Sequence, residues 1–178
     1  MVVEKKLQKG KVIVAIDGRC GSGKTTLANR LADRFGGRVV RMDHFFLPPE
    51  KRTDQRLATP GGNVDYERFL LEVAPNIREA YPQYKAYNCH TNDYYDVKLL
   101  NQPLTIVEGT YSLHPSLQHL YDLKIFMDVP SDIQAQRIKD RDGDYAQVFF
   151  DKWIPLEELY FKELDIQQNS HITYNTGE

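Results

Sequence analysis

The residues best suited to chemistry lie near the start of the chain. There Gly18-Arg19-Cys20-Gly21-Ser22-Gly23-Lys24-Thr25 fits G-x-x-x-x-G-K-[ST], directly after the apolar run Val12-Ile13-Val14-Ala15-Ile16. Glycines at these points let the backbone turn tightly enough for successive N–H groups to converge on phosphate oxygens. A helix opening at Lys24 adds the positive end of its dipole. Lys24 supplies a mobile charge for the terminal phosphates of a nucleotide, and the Thr25 hydroxyl a ligand for a magnesium ion carried with them. Thr26 follows on the same helix in a secondary role. Two carboxylates extend the pattern, since Asp43 follows the apolar pair Val39-Val40 and Glu108 ends the run Leu104-Thr105-Ile106-Val107. Each stands at the carboxyl end of a candidate strand, where open α/β sheets bind their ligands. Asp43 there suits a catalytic base, with a helix cap or a surface aspartate as the ordinary alternatives. Glu108 suits the magnesium side of the site.

The elements that must position these groups follow from periodicity. Residues 11–17 are nearly all apolar, as a central parallel strand covered on both faces requires. Leu27, Leu31 and Phe35 then recur at helical spacing over residues 23–35, and Gly36-Gly37 supplies a left-handed stop. Further strands are expected at 38–42, 104–108 and 123–129, with a last short one at 172–174. Residues 48–63, with Pro48-Pro49, Pro60 and Gly61-Gly62, read as a long polar loop too broken for regular structure. Lys51, Arg52 and Arg56 on that loop suit closure over a bound acceptor. Residues 65–81 read as a helix that Pro75 must kink or break, and 84–100 as short extended pieces. A short helix is expected near 115–120. Another runs from a Ser131 or Asp132 cap through Arg141, with Arg137 and Arg141 four apart on one face. Residues 144–166 read as helix, with Pro155 opening its second half.

With 178 residues, 41% of them hydrophobic and 27% charged, the chain suits one domain over residues 1–178 with a sizeable core. A formal net charge of −2 argues against a polyanion such as DNA and for small partners. The two cysteines, Cys20 and Cys89, suggest no disulfide framework and a reducing compartment. The first eleven residues carry five charges, Glu4, Lys5, Lys6, Lys9 and Lys11, and no apolar stretch of signal-peptide or membrane-span length. The expectation is a cytoplasmic protein without membrane or nucleic-acid partners. Homo-oligomer formation is left open.

The ordered set of motifs resembles the uridine kinase and phosphoribulokinase group of P-loop kinases. It comprises Gly18 to Thr25, Met42-Asp43-His44-Phe45-Phe46, Gly62-Asn63-Val64-Asp65, Ile106-Val107-Glu108-Gly109, Tyr121-Asp122-Leu123-Lys124-Ile125-Phe126 and the Arg137/Arg141 pair. The resemblance implies a three-layer α/β/α P-loop NTPase fold with a mainly parallel central sheet. It also implies transfer of the γ-phosphoryl group of ATP, with Mg2+, to a hydroxyl of a small acceptor such as a nucleoside. Asp43 would then take the proton from the acceptor hydroxyl and Asp65 would hold its sugar, although capping the following helix is the other reading of Asp65. Arg137 would reach the transferred phosphate and Arg141 the nucleotide. Tyr87 and His90 would lie at the acceptor base. Two departures are visible: the lid between the last helices shrinks to Asp142-Gly143-Asp144, and His90 comes only three residues after Tyr87. They keep a pantothenate-like or sugar-like acceptor, and a nucleotide-binding module without an acceptor, as alternatives.

Overall fold

The alternation of side chains along the first strand sets the architecture. A computed structural model describes residues 2–177, so the first and last residues of the expected 1–178 unit lie outside it. After α1 (Val2–Leu7), β1 (Val12–Gly18) is buried along its whole length. Its even residues Val12, Val14 and Ile16 pack with Ala28 and Leu31 of α2 (Lys24–Phe35), as do Leu104, Leu123 and Met127. The odd residues Ile13 and Ala15 face the opposite layer, with Val40, Phe45, Phe69, Phe126 and Tyr160. This two-sided burial is what a continuous apolar run must do in a parallel sheet. Gly36 ends α2 at φ 64° with its N–H on the Ala32 carbonyl.

The chain continues through β2 (Gly37–Arg41), α3 (Asp54–Leu57), α4 (Tyr66–Glu72), β3 (Gln83–Asn88), β4 (Asp93–Lys98), β5 (Leu104–Glu108), β6 (Leu123–Asp128), α5 (Ser131–Asp142), α6 (Ala146–Val148), α7 (Ile154–Glu163) and β7 (Ile172–Asn175). Five strands form a wholly parallel sheet in the order β2-β5-β1-β6-β7. Strands β3 and β4 form a separate antiparallel hairpin. With helices on both faces the fold is three-layer α/β/α. Among the described residues no helix is long and apolar enough to cross a membrane.

Several local expectations are corrected. Residues 48–63 are not irregular: Pro49–Lys51 forms a 3-10 turn and α3 follows. Thr53 caps α3 by accepting the Arg56 N–H at 3.2 Å, and Arg56 holds the Gly62 and Val64 carbonyls and Glu67. The segment looked broken because its order comes from a side chain reaching back to backbone, which leaves no periodic trace. The helix from 65 stops at Glu72, and Pro75 lies in the 3-10 turn Ala74–Asn76. Near 115–120 only the 3-10 turn Gln118–Leu120 forms. Ser131 is the first residue of α5 rather than its cap, since Pro130 precedes it without a side-chain bond. Before α7 the chain makes a wide π turn, Phe149–Trp153, and Pro155 sits in the first turn of α7, where its missing N–H costs nothing.

Asp17 continues the odd series of β1 and is therefore driven into the core on the α7 side. Its Oδ1 accepts the N–H groups of Gly18 at 2.6 Å and Tyr111 at 3.2 Å; its Oδ2 accepts the Leu113 N–H and the Tyr160 hydroxyl, both at 2.8 Å. Burial pushes its pKa up to about 6, against the Leu113, Tyr160 and Gly18 donors and Lys24, which favour the charged form. Asp17→Asn turns an NH2 group toward some of these four donors, where it cannot accept. It should lower the stability of the protein by about 2–4 kcal/mol, read from urea unfolding; an unchanged midpoint would show that the four bonds carry no net stability.

Candidate active site

The loop between β1 and α2 has the strained backbone its glycines allow. Gly18, Gly21 and Gly23 take φ values of 135°, 74° and 89°. A Cβ on Gly18 would run into the Met127 carbonyl of β6, so the loop leaves the sheet through a gap only glycine fits. Lys24 is turned into the loop, its Nζ donating to the Gly18 and Arg19 carbonyls, each at 2.7 Å. The Ser22 hydroxyl is buried with no partner among the described residues. The Gly21 and Gly23 N–H groups bond to nothing else among the described residues, and the first turn of α2 has no intrahelical acceptor for its own. An inward lysine, an orphaned hydroxyl and unclaimed N–H groups suit a polyphosphate.

Parallel register brings the two carboxylates to this loop. Glu108 pairs with Ile16 on one side and with Arg41 on the other, so the ends of β1, β2 and β5 lie together. Glu108 is buried; its Oε2 accepts the Thr25 hydroxyl at 3.1 Å and its Oε1 meets Arg41 at 2.8 Å. Thr25 and Glu108 thus offer adjacent hard oxygens that fit a divalent ion. Burial and the nearby Asp43 charge raise the Glu108 pKa, while Arg41, Thr25 and Lys24 oppose them. Asp43 lies in the 3-10 turn Met42–Phe45 just beyond β2. Its carboxylate is open to solvent but walled by protein, and desolvation raises its pKa against Lys24, Arg41 and Arg141. Next to it, His44 sits between the hydroxyls of Tyr84, 2.9 Å from Nδ1, and Tyr95, 3.2 Å from Nε2. Burial and the charges of Arg41 and Arg68 lower its pKa to about 4, so it stays neutral at neutral pH.

The other candidates are placed unevenly. Asp65 caps α4 by accepting the Arg68 N–H at 3.0 Å and pairs with Lys51 at 3.2 Å. The Tyr87 hydroxyl donates to Asn92 Oδ1 at 2.6 Å, and His90 is exposed on the turn between β3 and β4. Arg19 points its side chain away from the loop mouth, onto Asp128 at 2.7 Å and Glu158. The Cys20 side chain is buried beside Gln134, and Thr26 is exposed in the first turn of α2. Arg137 and Arg141 diverge. The first holds the Gly21 carbonyl at 3.0 Å and Thr176, whereas the second pairs with Asp142, lies 5.1 Å over the Phe149 ring and puts its charge within reach of Asp43. The lysine and arginine of the loop between β2 and α3 are likewise engaged, Arg52 resting 5.8 Å over Trp153.

Three groups at the site were not singled out in the sequence: Arg41, Thr110 and Glu157. Arg41 was within reach of sequence reasoning, because parallel pairing of the expected strands at 38–42 and 104–108 puts it beside Glu108. Thr110 follows that strand by two residues, and nothing in residues 144–166 marks Glu157 among its acidic neighbours.

With this geometry in hand, comparison with known proteins identifies the group. The chain is 30% identical to a uridine kinase of Geobacillus kaustophilus over 148 residues, spanning 75% of this chain and 68% of that one. It is 28% identical to a uridine kinase of Staphylococcus aureus over 148 residues, spanning 75% and 70%. A solved chain from Bacillus stearothermophilus, described as a possible uridine kinase, has the same fold: TM-score 0.71, 98% of this chain and 100% of that one, at 16% identity. No family model matches the chain. The fold is that of the P-loop kinases. Within them, the chain belongs to the uridine kinase family.

The electrostatics of the cleft can be checked directly. Carbon NMR titration should give Asp43 a pKa above the ordinary aspartate range, and Arg141→Gln should raise it further by removing a cation that favours the carboxylate. A value unmoved by the substitution would separate Arg141 from the cleft.

Proposed function

We propose that the protein transfers the γ-phosphoryl group of ATP to a hydroxyl of a small acceptor, a nucleoside being the acceptor that the names of its relatives suggest. The observation that carries the reading is the pairing of two unlike carboxylates around one lysine. Glu108 is buried against Thr25, while Asp43 is open to the cleft, and Lys24 acts on both.

In this reading residues 18–25 bind the phosphates through backbone N–H groups. Lys24 exchanges the Gly18 and Arg19 carbonyls for phosphate oxygens and follows the charge as it moves. Thr25 and Glu108 would hold Mg2+, which supplies charge neutralisation on the phosphates. Asp43 orients the acceptor hydroxyl and takes its proton as the new O–P bond forms; the raised pKa brings it nearer the working range of a general base. Arg141 supplies positive charge on the side facing Asp43, and Arg137 joins the phosphates only by leaving Gly21 and Thr176. Asp65 orders the acceptor wall through Lys51 and α4. Tyr87 and His90 complete a nucleoside site in this reading. A pantothenate-like or sugar-like acceptor is the second reading, favoured by the engagement of the Tyr87 hydroxyl with Asn92 and the exposure of His90.

Asp43→Asn tests the assignment, because asparagine keeps the side-chain shape but takes no proton at neutral pH. Acceptor-dependent turnover should fall by roughly 100-fold to 10,000-fold while ATP affinity, measured by calorimetry on the same preparation, holds. Turnover within a few-fold of the unaltered protein would remove Asp43 as the base, and loss of ATP binding would move it to the metal side.

A further inference from the structure

Glu157 is a carboxylate where a phosphate-binding loop has no evident need of one. It projects from the first turn of α7 and is buried, with 6% of its surface exposed. Its Oε2 accepts the Cys20 N–H at 3.0 Å, a donor belonging to the loop itself. Its Oε1 lies 3.2 Å from the Thr110 hydroxyl, which is equally 3.2 Å from the Gly18 carbonyl and can donate to only one of them at a time. Burial raises the Glu157 pKa, and Lys24 is the cation that opposes this by favouring the charged form. The loop's lysine and one of its N–H groups therefore already answer to an anion of the protein's own. By contrast, the neighbouring Arg19 N–H is taken by a neutral acceptor, the Met127 carbonyl at 3.1 Å.

We propose that Glu157 is the resident anion of the phosphate loop: it fixes Cys20 and Thr110 in the free protein and, by like-charge repulsion, weakens the loop's hold on nucleotide phosphates, so that the diphosphate product leaves. The proposal rests on reading residues 18–25 as the nucleotide site. Glu157 touches no reacting atom in it and acts through the loop, as a positioning residue. Repulsion between charges that share a partly dry site is large enough to be read as an affinity change.

Glu157→Gln isolates the charge. The amide oxygen can still accept the Cys20 N–H, and the amide NH2 can donate to Thr110, freeing that hydroxyl for the Gly18 carbonyl. Calorimetry with ADP, and separately with inorganic pyrophosphate, should show roughly threefold to thirtyfold tighter binding to Glu157→Gln, with an unfolding midpoint no lower than that of the unaltered protein. Tyr160→Phe, one turn along α7, removes the bond to Asp17 and loosens the same helix without altering charge. It should not tighten binding. Equal or weaker binding to Glu157→Gln, equal tightening by Tyr160→Phe, or failure of Glu157→Gln to fold would each overturn the proposal. Absence of ADP binding to the unaltered protein would instead remove the nucleotide reading, and the proposal with it.

Discussion

A charge held inside the molecule organises everything around it. Asp17 ends the odd-numbered series of β1, and the pleat that buries Ile13 and Ala15 leaves it no route to solvent. It can remain there only by finding donors, and it finds them in three different parts of the chain: the start of the phosphate loop, the turn after β5, and α7. One carboxylate thus fixes how the loop leaves β1, how the chain turns away after Glu108, and how the last long helix lies across both. The positions of Lys24, Thr25 and Glu108 relative to one another lean on that fixing, because Lys24 and Thr25 follow Asp17 by seven and eight residues and Glu108 precedes its partner Tyr111 by three.

The two halves of the cleft are built differently. Around the loop of residues 18–25 the charged groups and the Cys20 N–H have partners before any ligand arrives: Lys24 on its carbonyls, Glu108 on Thr25 and Arg41, Cys20 on Glu157. Preorganisation of this kind suits phosphoryl transfer, where the protein contributes position and charge rather than covalent chemistry. On the side proposed to hold the acceptor, polar groups are tied mostly to one another. Asp65 is on Lys51 and its helix, Tyr87 on Asn92, and Arg56 on the loop it closes. A glycine loop fixed by backbone and a facing wall made of side-chain pairs explain why family membership is easier to read than the proposed acceptor.

The same contrast explains what was legible in the sequence. The parallel strands, α2 and its glycine stop, and the two strand-end carboxylates all follow from local signals such as apolar runs, helical spacing and a spaced glycine motif. The order of residues 48–63 did not, because Arg56 creates it by reaching backbone carbonyls six and eight residues away. Arg137 and Arg141 share a spacing but not a direction, since Gly21 and Thr176 draw one and Asp142 and Phe149 the other. Glu157 and Tyr160 matter through contacts with residues more than a hundred positions earlier, and no window of sequence contains both partners. Asp17 is the intermediate case: a lone charge within a buried strand is visible in sequence, but its four donors are not.

The central claim is that this cleft moves a phosphoryl group onto a separate small molecule instead of only binding nucleotide. It is tested most directly by measuring ADP release from ATP and Mg2+ with and without a panel of nucleosides, sugars and pantothenate-like vitamins. The account predicts release that depends on one hydroxylated acceptor class, accompanied by a stoichiometric phosphorylated product. ADP release that is the same with every acceptor and with none, from protein that binds ATP, would contradict it.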